Sequence, residues 1–132
     1  MTYHVSLDGR ILLIQFSGTL TREDLESFGK ELLALEQHGT NTPNRLTDFR
    51  QITTAAVGYA EIAPLAELSR TRPLAHDIRS AMLVQEPVQM GLARMFQILN
   101  EHPRVTMRIF EDEASARAWL ATESLHDRED AP

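Results

Sequence analysis

The chain has 132 residues, a formal net charge of −6, 42% hydrophobic and 24% charged residues, and no cysteine. That length suits one domain with its own hydrophobic core, and the missing cysteines exclude a disulfide framework, thiolate metal sites and dithiol redox chemistry. The acid excess repels a phosphate backbone, and no apolar run approaches the roughly 20 residues a bilayer span requires.

Tyr3 to Phe16 reads as two strands joined at Asp8-Gly9, a dipeptide that supplies the positive φ of a tight hairpin turn. Ile11 to Ile14 is apolar on both faces, which predicts a central second strand. Ser17-Gly18-Thr19-Leu20 is expected to break that strand. Thr21 then caps a helix with Asp24 in the capping-box position, and Leu25, Phe28, Leu32 and Leu35 form its apolar stripe. Gly39 supplies a stop before the loop at Asn41 to Asn44.

Arg45 to Phe49 alternates and predicts a short strand, followed by a small, polar loop from Arg50 to Gly58. A second helix lies between Tyr59 and Ala75. Pro64 either sits in the first turn of a late-starting helix or kinks an early-starting one, and Arg72-Pro73 ends it. Ser80 to Val84 is the fourth strand. Glu86-Pro87 opens a third helix whose stripe is Val88, Leu92, Met95, Phe96 and Leu99, closed by Asn100 to Pro103. Val105 to Phe110 is the fifth strand, and Asp112 caps a last helix on which Trp119 packs against the sheet. The reading is one domain over residues 1–122 with a polar tail at 123–132. Its fold class is α/β, in the order β-β-α-β-α-β-α-β-α, with a mostly parallel five-stranded sheet, an antiparallel first strand and four helices.

Three stretches carry a resemblance. They are Ser17 to Thr21, Arg45 to Arg50, and above all the run from Gly91-Leu92-Ala93-Arg94-Met95-Phe96-Gln97 through Val105 to Phe110 and Glu113 to Leu120. In these the chain resembles the SpoIIAA-like proteins, a group related to STAS domains and anti-sigma-factor antagonists. The resemblance implies a mixed sheet with helices packed on it, a bacterial origin and a non-enzymatic role. In the antagonists a serine or threonine near the start of the second helix is phosphorylated, which switches partner binding. The corresponding stretch here, Asp48 to Gly58, has Thr53 and Thr54 as its only hydroxyls in place of an Asp-Ser-Ser-Gly type of signature. The group also shares fold features with lipid-carrying domains, so an apolar ligand enters as an alternative.

No residue is assigned a catalytic role. The six glycines form neither a dinucleotide-binding nor a P-loop pattern, no serine lies in a G-x-S-x-G elbow, and the five histidines are scattered without a metal-binding pair. No metal or cofactor is expected. The nearest basic patch, Arg70, Arg72, His76 and Arg79, is diluted by Glu67 and Asp77, so nucleic acid is not an expected partner. Candidate ligand- or partner-binding residues are Asp48, Arg50, Thr53, Thr54, Tyr59 and Arg94. Thr53 and Thr54 could accept phosphate beside Arg50 or serve local turn hydrogen bonds. Asp48 could orient a bound group or cap the next loop, and Arg94 could meet an anionic ligand or an acid of its own chain. The methionines and Phe96 could line an adaptable pocket or simply fill the core.

Three functions follow in order. The first is a regulatory or scaffold domain that binds another protein or a second copy of itself, for which exposed apolar positions on the Tyr59 to Ala75 helix are candidates. The second is a binder of a small apolar or amphipathic ligand such as a lipid or quinone, and the third is an enzyme of unknown class. The Met1-Thr2-Tyr3-His4 start lacks the layout of a secretory signal, and a cytoplasmic location is expected.

Overall fold

A computed structural model describes residues 3–37, 43–71, 74, 76–99 and 102–122. The expected helix stop at Gly39, the Arg72-Pro73 break, Asn100-Glu101 and the tail at 123–132 lie outside the described residues. The elements are β1 (Tyr3–Asp8), β2 (Ile11–Leu20), α1 (Arg22–Gln37), β3 (Asn44–Ala55), α2 (Tyr59–Thr71), β4 (Ile78–Leu83), α3 (Pro87–Leu99), β5 (Val105–Phe110) and α4 (Glu113–Ala121). The five strands lie side by side in chain order, β1 antiparallel to β2 and every later pair parallel. The expected α/β architecture is the one observed.

Sequential strand order places the helices. Each right-handed crossover steps the same way across the sheet, so α1, α2 and α3 fall on one face. Alternate residues of β2 show the division: Leu12, Ile14 and Phe16 join the core beneath α1–α3, while Ile11 and Leu13 pack with Leu46, Ala81, Leu83 and the α4 residues Ala116 and Leu120. The larger core centres on Phe16, whose ring lies 5.3 Å from Phe28 and 5.7 Å from Phe49, with Phe96 beyond Phe49 at 6.0 Å.

The helix starts follow the expected chemistry. Thr21 and Asp24 form a reciprocal cap, with the Thr21 N–H donating to Asp24 Oδ2 at 3.1 Å and the Asp24 N–H donating to Thr21 Oγ1 at 3.3 Å. Asp112 caps α4 by accepting from the Ser115 N–H at 2.8 Å. Pro64 is not in a first turn: α2 starts early, at Tyr59, and carries the proline inside it. Gly58 accepts the first helical bonds, and its own N–H donates to Glu61 Oε1 at 2.8 Å.

Four local expectations are corrected. The hairpin turn is Gly9-Arg10, since Asp8 pairs with Ile11; only Gly9 has positive φ, the pattern of a II′ turn. Ser17 to Leu20 does not end β2, because Gly18 adopts a φ of 73° and the strand continues to Leu20. Arg50 to Ala55 is not loop but the second half of β3, paired with that continuation. On α3, Val88 is 39% exposed and Gln89, at 1%, occupies the buried position.

Candidate functional site

The parallel strands end in a crest of short loops, the usual place for ligands and partners in such sheets. At the crest the structure departs most from simple strand alternation. The register runs from Gln15↔Asp48 to Ser17↔Gln51, so Phe16 stands opposite two residues, Phe49 and Arg50. A second extra residue, Thr53, falls between the pairs Gly18↔Ile52 and Thr19↔Thr54. The first bulge shifts the side-chain parity, which lets Phe49 and Ile52, three positions apart, enter the same core. Pairing of β3 with β4 stops at Asp48↔Leu83. Beyond that point β2 and β3 continue as a ribbon.

Asp48 and Arg50 are brought together at the first bulge. Arg50 grips the Asp48 carboxylate with two guanidinium bonds, at 3.0 and 2.9 Å, and adds its backbone N–H at 2.9 Å. The same guanidinium reaches Glu113 at 2.8 Å, Glu113 holds Arg117 at 2.9 Å, and Arg117 holds Asp8 at 2.9 Å. This alternating chain ties β3, the start of α4 and the β1–β2 hairpin together. Burial alone would raise the Asp48 carboxyl, but the Arg50 hydrogen bonds and charge outweigh it and hold the group below the ordinary carboxylate range. Arg117 and Arg50 likewise lower Glu113, and the carboxylates raise Arg50 further.

Gln89, which carries no motif, organises the other edge of β3. Its Oε1 accepts the N–H groups of Gln85 and Glu86 at 2.8 and 3.1 Å. Its Nε2 donates to the carbonyls of Arg50 and Ile52 at 3.1 and 2.9 Å. A side-chain amide thus stands where a neighbouring strand would be, and all four of its hydrogen-bonding groups are used.

Thr53 and Thr54 are exposed on the ribbon, with Ser17, Thr19 and Gln51 exposed beside them. Neither threonine is at the α2 N-terminus, where the backbone N–H of Gly58 already meets the Glu61 carboxylate. Tyr59, the first residue of α2, is 66% exposed. Arg94 is set apart: it lines a groove of about 380 Å³ between α3 and β5 with Met90, Gln97, Ile98, Ile109 and Glu111. Met82 is core, whereas Met90, Met95 and Met107 pack partly buried around it.

A small space of about 40 Å³ lies between the sheet and α1–α3. Phe16, Phe28, Phe49 and Phe96 line it together with aliphatic side chains, and the buried Arg45, Thr47 and Ser80 make one end polar. An open groove of about 420 Å³ runs between α1 and α2 past Gly29 and Pro64. Among the described residues, no group of three His, Cys, Asp or Glu side chains is placed to hold a metal ion. No helix there is long and apolar enough to cross a membrane.

The SpoIIAA-like family model matches residues 11–121. The chain belongs to the SpoIIAA-like family. No curated protein matches it. Among solved structures it is similar to an uncharacterised protein of Shewanella loihica PV-4 with a SpoIIAA-like fold, at 22% identity and TM-score 0.60, over 90% of this chain and 92% of that one. It is also similar to the anti-sigma-factor antagonist SpoIIAA in its unphosphorylated form, at 13% identity and TM-score 0.56, over 98% and 99% of the two chains. The phosphorylated Bacillus cell fate determinant SpoIIAA matches at 16% identity and TM-score 0.53, over 88% of this chain and 98% of that one. At these identities the likeness is one of fold. The SpoIIAA-like chain described here therefore shares an architecture with an anti-sigma-factor antagonist.

Proposed function

We propose that this SpoIIAA-like chain is a non-enzymatic regulatory domain that binds another protein through the β2–β3 ribbon and the start of α2. The observation that carries this reading is the ribbon itself. It stands beyond the last β3–β4 pair, presents Ser17, Thr19, Gln51, Thr53 and Thr54, and ends beside the exposed Tyr59. Family membership and the fold shared with an anti-sigma-factor antagonist support it. Tyrosine is the kind of anchor that supplies contact area at low entropic cost. Phosphate on Thr53 or Thr54 would add about two negative charges to an otherwise uncharged surface and so gate the contact. The proposed setting is the cytoplasm.

The ligand-carrier reading has support in the polar end of the interior space. Its size weighs against it, since 40 Å³ is far below the roughly 300 Å³ of an ordinary small-molecule site.

The test is a photocrosslinking amino acid at position 59, in protein expressed in its own host and examined by native mass spectrometry. We expect a defined protein adduct that disappears with Thr54→Glu. A stoichiometric small molecule that co-purifies, with no protein adduct at position 59, would overturn the proposal.

A further inference from the structure

A second surface lies on the sheet face that carries α4, away from the ribbon. The α4 helix packs over β3 and β4 through Ala116 and Leu120 and leaves Thr106 and Arg108 of β5 exposed. Trp119, the only tryptophan, borders this strip. Two guanidinium groups lie over its ring, Arg79 at 5.3 Å and Arg108 at 5.4 Å, and Arg108 also lies 5.2 Å from Phe110. Their roles differ. Arg79 donates to the carbonyls of Trp119 and Thr122, at 2.6 and 3.0 Å, and so closes the end of α4. Arg108 has no carboxylate partner among the described residues, although the chain as a whole carries −6. An exposed arginine stacked on aromatic rings has its planar fork oriented in advance and its donors unused.

The β5 edge shows how an occupant would be held. The Phe110 carbonyl accepts from Val84, so Thr106, Arg108 and Phe110 turn their backbone groups towards β4, while Val105, Met107 and Ile109 turn theirs outward. The outward N–H of Val105 is bound by the His102 carbonyl, and the outward carbonyl of Met107 by Gln97 Nε2 at 3.1 Å. Strand addition along this edge is therefore blocked at two positions. Recognition on this face falls to the side chains.

We propose that the Arg79–Trp119–Arg108 shelf is a second docking surface, which takes an acidic segment of a partner protein through a carboxylate on Arg108 and packing against Trp119. Charge complementarity selects the occupant. The shelf offers two guanidinium groups, which suit a segment with one or two carboxylates, whereas the net charge of −6 works against a long polyanion such as a nucleic acid. The proposal is independent of the ribbon reading.

Trp119 reports its own occupancy. The diacidic peptide acetyl-Glu-Gly-Glu-amide, titrated into the full chain at low salt, should give a saturable change in tryptophan fluorescence that weakens as salt rises. Arg108→Glu should weaken that binding at least about tenfold, as expected for loss of a charge-assisted hydrogen bond. Arg108→Lys should retain part of it, and Arg10→Glu, the same charge change on the distant hairpin, should leave it intact. Thermal melts establish that each variant folds. The idea fails if no saturable change occurs, or if Arg10→Glu weakens binding as much as Arg108→Glu. It fails equally if inorganic phosphate or oligothymidylate binds more tightly than the peptide.

Discussion

Gln89 shows how one side chain can shape a site without belonging to any motif. It is 1% exposed and satisfies two N–H groups and two carbonyls at the point where β3 leaves β4. Gln89→Leu keeps the volume but strands all four groups, and should cost about 2–4 kcal/mol, read as a lower urea midpoint. Gln89→Glu separates the two halves of the role. The carboxylate still accepts from Gln85 and Glu86 but faces the Arg50 and Ile52 carbonyls with no proton. Its folded pKa should therefore be raised, so the variant should approach the parent in stability below about pH 4 and fall away as pH rises through that raised value. A variant equally weak at all pH values would contradict this. Trp119 is the opposite case. Expected to pack α4 against the sheet, it does border the Leu46–Ala116 cluster there but stays half-buried, with two arginines and Phe110 around it. Trp119→Ala should then cost about 1–2 kcal/mol in a denaturant titration, less than the 3–5 of a buried tryptophan.

At the scale of elements, sequence reading succeeded where the signal is local and failed where pairing decides. The caps at Thr21 and Asp112 depend on residues three apart and were readable. The second half of β3 was not. Its first bulge places Phe49 and Ile52 on one face, a spacing of three that breaks the alternation by which strands are recognised. Asp48 and Arg50 were each named as candidate binding residues, but their grip on each other and the link to Glu113, 63 residues on from Arg50, exist only in three dimensions. That link has a pH consequence. Asp48 and Glu113 have depressed folded pKa values, so their contribution is present above the unfolded carboxylate value, near 4, and is lost as pH falls through the folded values. Asp48→Asn should lose about 1–3 kcal/mol at pH 7, since it leaves Arg50 half-paired in a partly buried site. Its stability should also change less than the parent's between pH 5 and about pH 2. Urea midpoints across that range decide the matter, and parallel curves for parent and variant would remove Asp48 from the account.

For the whole molecule, the question is what keeps the space beneath α1–α3 so small. The crossover rule puts three helices on one face, but their spacing depends on the side chains between them. Gly29 of α1 sits against Leu65 of α2: a Cβ built on Gly29 would lie 2.6 Å from Leu65 Cδ1. Leu65 also lines the interior space, so the closeness of α1 and α2 and the size of that space are coupled through this contact. A single methyl meets only the end of a movable side chain, and alanine gains about 1 kcal/mol of helix propensity over glycine. Gly29→Ala should therefore be nearly neutral. Valine brings two further carbons against Leu65 and must push the helices apart, at a cost of about 1–3 kcal/mol. Gly29→Val should also widen the interior and raise the binding of an apolar dye, while Gly29→Ala should not. Equal dye binding by both variants and the parent would mean that the spacing is set elsewhere, by the rings of Phe16, Phe28 and Phe49 rather than by the absence of a side chain at Gly29.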